Sequence, residues 1–220
     1  MQERRLRVLA LHGWRTSARF LEWQLTKYSR LANKLEDQLE VTYLDAPHPA
    51  SGPIPDGISN FVSGPYFEWW NATKKSNDQN VYEGMEESVS FVLDYMRLHG
   101  PFDGLLGFSQ GGTMCGIILA LCQSGAAELP FPPPAFCLNF SGLLSRDYRH
   151  LQLYDTPIST PTVLVWGEKD HGNRYTKKLS SCFVDPIEIS HPGGHVIPAL
   201  GSSEVQQIRS FLTAILHSKL

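Results

Sequence analysis

The residues with the clearest chemical potential are Gly107-Phe108-Ser109-Gln110-Gly111, a serine held between two glycines. An apolar pair, Leu105-Leu106, precedes them, and an apolar run with helical spacing, Met114 to Leu121, follows. This order predicts a strand, a sharp turn and a helix, the nucleophile elbow that exposes a serine hydroxyl above a sheet. The glycines leave room for backbone to approach closely at such a turn. We therefore expect Ser109 to act as the nucleophile in acyl transfer.

A serine hydroxyl is a weak nucleophile, so an acid and a base should follow it along the chain. The apolar run Thr162–Trp166 predicts a buried parallel strand, and Asp170 comes just after it. His195 follows the next predicted strand, behind two loop glycines. We expect His195 to take the Ser109 proton and Asp170 to hold the imidazole in the tautomer that accepts it.

Other residues compete for the roles of base and acid. Pro192 restricts His191 to an extended conformation, whereas the glycines before His195 allow a tight turn. His12 is expected to be a structural histidine that packs under the site. The two other aspartates considered for the acid, Asp155 and Asp185, do not follow a buried strand. The alternatives are His12, His171 and His191 for the base, with Asp155 (in a predicted loop) and Asp185 (inside the predicted last strand) for the acid.

The tetrahedral intermediate of acyl transfer needs backbone N–H donors aimed at its oxyanion. One donor is expected from Gln110, because it follows the nucleophile at the N-terminus of a helix, where N–H groups are free. The second is expected from Trp14, in the loop after the predicted first strand.

Strands and helices alternate along the rest of the chain, which favours an α/β fold with a mostly parallel sheet and helices on both faces. We expect one compact α/β-hydrolase domain over residues 1–220. The predicted strands are Arg7–Leu11, Val41–Leu44, Phe102–Gly107, Ala135–Phe140, Thr162–Trp166 and Phe183–Ile189. The predicted helices are Phe20–Leu39, Glu83–Leu98, Gln110–Gln123, Asn173–Cys182 and Ser203–Leu216.

The stretch from residue 47 to residue 82 interrupts this alternation with prolines, glycines and the aromatic cluster Tyr66-Phe67-Glu68-Trp69-Trp70. A structureless loop of this length in a compact domain is usually functional. We expect it to cover Ser109 in part, with Phe67, Trp69 and Trp70 lining an acyl pocket. The alternative is that the two indoles only hold the loop onto the core.

Composition excludes several classes of protein. The net charge of −3 with mixed signs argues against a nucleic-acid surface, and no run approaches the roughly 20 apolar residues of a membrane span. A charged N-terminal stretch without a long apolar run does not fit a secretory signal. The four cysteines are scattered, which indicates reduced thiols and not a disulfide framework. Because thiols stay reduced in the cytosol, we expect a cytoplasmic protein. His191 and His195 are separated by a Pro-Gly-Gly insert that forbids the helix of a zinc motif, so neither metal nor cofactor is expected.

Four blocks in order resemble the FSH family of serine hydrolases: Leu9-Ala-Leu-His-Gly-Trp14, Tyr43-Leu-Asp-Ala-Pro-His48, Gly100 to Gly111, and His191-Pro-Gly-Gly-His195. The resemblance implies an α/β-hydrolase acting on carboxylic esters or thioesters, with Ser109, Asp170 and His195 as its triad. The family's acid follows a Gly-Glu-x-Asp pattern, which residues 167–170 match. The elbow is also similar to that of acyl-protein thioesterases. Those carry a His-Gly-Leu-Gly-Asp type of loop where this chain has His12-Gly-Trp-Arg-Thr16, so that family ranks second.

The favoured function is hydrolysis of a small-molecule carboxylic ester, with medium or long acyl chains suggested by the aromatic loop. The alternative is a thioesterase for coenzyme A, carrier-protein or acyl-protein thioesters, because a thioester needs no different residues. A carrier-protein partner would require a complementary, basic patch beside the cleft. A small-molecule receptor that retains the hydrolase pocket is less favoured, since the proposed triad is intact.

Overall fold

The computed structural model describes residues 4–74 and 80–218. Their central element is a six-stranded parallel sheet with strand order β10-β9-β8-β7-β1-β2. Two small antiparallel sheets, β3 with β4 and β5 with β6, lie outside it. In chain order the strands are β1 (Leu6–Leu11), β2 (Leu39–Leu44), β3 (His48–Pro49), β4 (Phe67–Glu68), β5 (Asn71–Lys74), β6 (Asn80–Glu83), β7 (Gly104–Phe108), β8 (Phe136–Phe140), β9 (Thr162–Gly167) and β10 (Ile187–His191).

Five of the six α-helices within the described residues lie in connections between these parallel strands, as crossovers between parallel neighbours require, and the sixth follows the last strand. In chain order the helices are α1 (Ala18–Trp23), α2 (Leu31–Lys34), α3 (Met85–His99), α4 (Gln110–Gln123), α5 (Asn173–Ser180) and α6 (Ser202–Ser218). A π-helical turn covers Gln24–Tyr28, and 3-10 turns cover Ile58–Asn60 and Tyr148–Tyr154. None of the helices in the described ranges is long and apolar enough to cross a bilayer.

The core is divided between the two faces of the sheet. Successive residues of a strand point to opposite faces, and Leu105 of β7 packs in one cluster with residues of α3 and α4. Its neighbour Leu106 packs in a second cluster with residues of α6. Because both faces are covered, the central strands β1, β7, β8 and β9 are almost entirely buried, whereas the edge strands β2 and β10 keep exposed residues. The predicted α/β-hydrolase fold is confirmed.

The predicted helix Phe20–Leu39 is wrong as one continuous element. Arg30 adopts a left-handed backbone with φ of 56°, which ends the helical run after the π-helical turn. Only the short α2 follows before β2 begins at Leu39, paired with Leu6 of β1. Apolar periodicity alone did not reveal the break, because residues on both sides of it face the same core cluster.

The last strand was predicted at Phe183–Ile189 and is observed at Ile187–His191. Asp185 has a φ of 44°, so the chain turns there, and Phe183 forms only an isolated bridge with Ile158. Asp185 therefore precedes the strand instead of lying within it. The remaining predicted helices and strands agree with the observed bounds to within two residues.

The stretch from residue 47 to residue 82 is not structureless. It contains β3 to β5 and the beginning of β6, and the isolated bridge between Thr16 and Phe67 joins it to the loop after β1. Residues 75–79 of this stretch lie outside the described residues. Its expected role as a partial cover over Ser109 stays a prediction.

Candidate active site

Ser109 lies between β7 and α4 in a backbone conformation that few residues adopt. Its φ and ψ are 55° and −115°, and its N–H donates to the Phe140 carbonyl over 2.9 Å. Such strained conformations persist only where surrounding structure enforces them, and they cluster at functional sites. The flanking glycines are required by packing: a side chain at Gly107 would collide with the backbone of Gly111, and one at Gly111 with the Leu11 carbonyl.

Three of the predicted residues form a hydrogen-bonded chain. The His195 Nδ1 lies 2.7 Å from Asp170 Oδ2, and its Nε2 lies 2.8 Å from Ser109 Oγ. When Nδ1–H donates to the carboxylate, Nε2 is left free to accept from the serine hydroxyl, which is the tautomer a general base needs. The Asp170 side chain is 3% exposed and that of His195 is 40% exposed. The Asp170 carboxylate is thus shielded from water, whereas the His195 ring remains open to it.

The Asp170 carboxylate is held in its ionised form. Burial by itself raises the pKa of Asp170, but hydrogen bonds from His195 and from the Gly172 N–H outweigh it, and the net pKa lies below the ordinary 3.8. The Gly172 N–H donates to Oδ1 over 2.7 Å. A carboxylate fixed in this way can stabilise an imidazolium at His195, its hydrogen-bonded neighbour.

Two loops bring the aspartate and the histidine together. After β9, the Glu168 N–H donates to the His191 carbonyl over 2.8 Å, and the Lys169 N–H donates to the Gly193 carbonyl over 3.0 Å. Gly167 makes this contact possible, because a side chain there would collide with the backbone of Gly193 and Gly194. These hydrogen bonds hold the carboxyl ends of the neighbouring strands β9 and β10 side by side.

The alternative residues have other surroundings. The buried His191 accepts the Gly193 N–H at Nδ1 over 3.2 Å, and burial lowers its pKa. The fully buried His12 accepts the Ala46 N–H at Nε2 over 3.0 Å, and desolvation lowers its pKa to about 4. Both rings are therefore expected to be neutral at pH 7. His171, Asp155 and Asp185 are exposed.

The structure brings both predicted oxyanion residues to the neighbourhood of Ser109. Gln110 is the first residue of α4, so its N–H belongs to the group that helices leave unpaired. Trp14 follows Gly13, at which an added side chain would meet the Cβ of Ser109 at 3.5 Å. Stabilisation of an oxyanion requires backbone N–H donors aimed at it, and the assignment of Gln110 and Trp14 to that role stays a prediction.

The Gln110 side chain adds a contact that sequence reasoning missed. Its Nε2 donates to the Trp70 carbonyl over 2.8 Å, and its Oε1 accepts the Trp69 N–H over 3.1 Å. Gln110 thus fastens the aromatic stretch to the start of α4. No sequence signal distinguished this role from that of an ordinary elbow residue.

A buried ion pair beside Trp14 was also missed. Arg15 Nε donates to Glu68 Oε2 over 2.7 Å, and the two side chains are 10% and 3% exposed. Arg15 has a φ of 50°, and its guanidinium carbon lies 4.3 Å from the centre of the Trp14 ring. The loop after β1 is thereby joined to the stretch of residues 47–82. The available sequence signal was the position of Glu68 within an aromatic run. A carboxylate is buried only when it has a partner, so this position indicated a paired cation.

The predicted pocket residues divide into two kinds. Trp69 has no exposed surface, and its indole N–H donates to the His12 carbonyl over 2.8 Å. Trp70 is 4% exposed and stacks on Tyr82 with ring centres 4.8 Å apart. This burial supports the alternative in which the indoles anchor the loop to the core, since each ring finds apolar neighbours there. Phe67 remains partly exposed, so its place in an acyl pocket stays a prediction.

Comparisons with known proteins agree with this geometry. A family model described as serine hydrolase (FSH1) matches residues 1–207. A human relative named esterase OVCA2 is 36% identical over 213 residues, which span 90% of this chain and 91% of the relative. The Caenorhabditis elegans esterase C25G4.2 is 30% identical over 226 residues, spanning 98% and 96% of the two chains.

Solved structures with similar folds are more distant in sequence. Acyl-protein thioesterase 2 from Zea mays has a TM-score of 0.62 at 21% identity, with 97% of this chain and 95% of that chain covered. An identity this low shows the shared fold alone, whereas the family match spans nearly the whole chain. The chain therefore belongs to the FSH1 family of serine hydrolases.

Proposed function

We propose that the protein hydrolyses carboxylic esters through Ser109, His195 and Asp170, by way of an acyl-enzyme. The observation that carries the proposal is the continuous hydrogen-bonded chain from Asp170 through His195 to Ser109. Each link is within the 2.6–3.2 Å, approximately, at which a positioned base can take a proton. The family of esterases to which the chain belongs supports the same reaction class.

The first half of the reaction forms the acyl-enzyme. His195 Nε2 takes the Ser109 proton as Oγ attacks the ester carbonyl, and the backbone N–H groups of Gln110 and Trp14 bind the oxyanion. The imidazolium then gives its proton to the departing alcohol. The Asp170 carboxylate stabilises the charge on the ring throughout, and its lowered pKa keeps it ionised at neutral pH.

The second half repeats the chemistry with water as the nucleophile. His195 removes a proton from water, the hydroxide attacks the acyl carbonyl, and the protonated base returns its proton to Ser109 Oγ. The exposed position of His195 leaves it accessible to that water. Free acid leaves and the serine hydroxyl is restored.

The test is hydrolysis of p-nitrophenyl esters with acyl chains from C2 to C16, by the natural protein and by Ser109→Ala. Loss of the nucleophile should lower kcat by at least about 10³-fold, the residual rate being that of the oxyanion donors and binding alone. The chain-length optimum gives the size of the acyl pocket for which Phe67 is the candidate. Equal rates for the two proteins on every ester would overturn the proposal.

Two controls separate this function from the alternatives. Asp170→Asn preserves the shape of the acid but not its charge, and should lower kcat by about 10⁴-fold while Asp155→Asn, at an exposed rival, leaves it unchanged. Acyl-coenzyme A substrates of the same chain length show whether thioesters are preferred over esters. A receptor would instead gain thermal stability from the ester while converting little of it.

A further inference from the structure

We propose that a cluster of cations around Tyr175 binds a negatively charged group, a carboxylate or a phosphate, on the substrate of the proposed reaction. The cluster, called the Tyr175 patch below, consists of Tyr175, Arg146, Arg174 and Lys178. The proposal rests on the proposed function, because it names a class of substrate for the same site.

Three cations converge on one aromatic ring. The guanidinium carbons of Arg174 and Arg146 lie 4.6 Å and 5.1 Å from the centre of the Tyr175 ring, and the Lys178 Nζ lies 6.0 Å from it. Arg174 Nη2 also donates to the Tyr175 hydroxyl over 2.9 Å. The tyrosine orients the cations while they stay exposed to solvent.

The cations of the Tyr175 patch form no ion pair with the described part of the chain. Within residues 4–74 and 80–218, no carboxylate lies within 4.0 Å of a charged nitrogen of Arg146, Arg174 or Lys178. By contrast, Arg149 is paired with Asp147 and Arg97 with Asp94. Uncompensated like charges repel one another, so an anion that binds between them relieves the repulsion.

The pKa of the Tyr175 phenol is affected by the same positive charges. Interaction with Arg146 and then with Arg174 lowers the pKa of Tyr175 below its ordinary 10.0. The environment therefore favours a negative charge at the position of the hydroxyl. This occurs on a chain whose overall charge is −3, so the positive field is local.

The Tyr175 patch adjoins the hydrogen-bonded chain of the site. The Tyr175 N–H donates to the carbonyl of Gly172, whose own N–H binds Asp170. The Tyr175 carbonyl accepts the Leu144 N–H over 3.1 Å, in the loop that follows β8. Ser109, Arg146 and Arg174 thus follow the adjacent strands β7, β8 and β9 at the same edge of the sheet, where open α/β folds bind ligands.

The donor chemistry selects the ligand. A guanidinium presents paired N–H donors that match the two oxygens of a carboxylate or a phosphate. Two guanidinium groups and an ammonium around one ring therefore suit an anionic group better than a neutral or cationic one. The anion can belong to the acyl chain or to the leaving group, and the two arrangements are distinguished by the test.

The test compares esters that carry a free carboxylate with the same esters in which that carboxylate is methylated, and the ratio in the variants is read against that of the natural protein. For the acyl side, the p-nitrophenyl monoester of adipic acid is compared with its methyl-capped diester, with p-nitrophenol release as the readout. For the leaving-group side, 4-acetoxybenzoate is compared with its methyl ester. We expect kcat/KM to favour the anionic member of one pair by about tenfold, the lower end of what hydrogen bonds to a charged group contribute. Raising NaCl to 0.5 M should reduce that ratio.

The matched variants are Arg174→Gln and Lys27→Gln, which each remove one exposed positive charge. Lys27 lies in the π-helical turn, outside the Tyr175 patch. Arg174→Gln should reduce the anionic-to-neutral ratio by about threefold or more, and Lys27→Gln should leave it unchanged. Equal ratios for the natural protein and Arg174→Gln, with both esters hydrolysed in a Ser109-dependent way, would refute the anion site and leave the proposed function intact.

A binding measurement covers the case in which none of these esters is a substrate. Phenyl phosphate, which an esterase does not cleave, is titrated into the Ser109→Ala protein by calorimetry. Binding that weakens in Ser109→Ala/Arg174→Gln but not in Ser109→Ala/Lys27→Gln supports the site. Absence of binding, or equal binding by both double variants, overturns it. Failure of ester hydrolysis alone would count against the proposed function only.

Discussion

The two sides of the Ser109 site differ in whether their charged side chains are buried and paired or exposed. On the side of β1, Arg15 and Glu68 form a buried ion pair, and Arg15 also donates to the Pro53 carbonyl and the Ser51 hydroxyl. On the side of β9, Arg146 and Arg174 of the Tyr175 patch are exposed and have no carboxylate partner within the described part of the chain.

Burial or exposure of the charges determines the role that each side can have. A buried charge is tolerated only when it is paired, so the β1 side is restricted to one arrangement and can hold the loop that carries Trp14. An exposed cation exchanges water for an anion at little cost, so the β9 side can accept a ligand. We expect rigidity on one side of Ser109 and ligand recognition on the other.

Breaking the ion pair should have the largest effect on stability. Arg15→Met leaves Glu68 buried without its cation, and we expect the free energy of unfolding to fall by about 3–5 kcal/mol. Glu68 keeps one donor, the Ser51 N–H at 3.2 Å, which places the effect toward the lower value. Urea denaturation of the two proteins measures the difference.

The double variant Arg15→Met/Glu68→Leu is the control for that experiment. It removes both charges together, so most of the lost stability should return. If the single and double variants are equally unstable, the damage comes from lost packing and not from an unpaired buried charge. Because Arg15 follows Trp14, kcat on p-nitrophenyl esters should fall in the single variant more than KM rises.

The buried His12 on the same side makes stability depend on pH. Its pKa is lowered from 6.5 to about 4 in the folded protein, so on acidification the unfolded chain binds the proton first. The contribution of His12 to the free energy of unfolding is therefore fully present above pH 6.5. It is lost as the pH falls toward 4, by about 3 kcal/mol over that window. Thermal unfolding at several pH values measures the slope.

The matched variant for this prediction is His12→Asn, which lacks a titrating group. Burial also lowers the pKa values of His150 and His191, so the natural protein contains more than one contribution. The difference in slope between the two proteins isolates His12. Identical slopes would show that its ring does not remain neutral in the folded state.

The smallest effect is expected on the β9 side. Lys178→Gln removes a cation that lies among like charges, so the free energy of unfolding should change by less than about 0.5 kcal/mol, and any change should be a gain. Urea denaturation at low ionic strength is the measurement. A loss of 2 kcal/mol or more would mean that this side, like the other, is held by fixed charge pairs.

The local elements near Ser109 could be predicted because short-range rules govern them. The bounds of α4 were predicted correctly at Gln110–Gln123, since the elbow glycines and an apolar run of helical spacing mark that helix. The break at Arg30 was missed, because a left-handed residue other than glycine leaves no compositional trace. The indoles of Trp69 and Trp70 were assigned to a pocket, although their burial depends on contacts with distant parts of the chain.

Local sequence patterns established the residue types available for chemistry and their order along a parallel sheet, because strand and helix periodicity are local properties. The same patterns also predicted that Ser109, Asp170 and His195 should meet, since residues that follow parallel strands of one sheet emerge at the same edge. Which charges are paired depends on long-range packing and became visible in the folded chain alone. Arg15 is 53 residues from Glu68 yet bonded to it, while Arg174 is left exposed, and that choice depends on how distant segments pack.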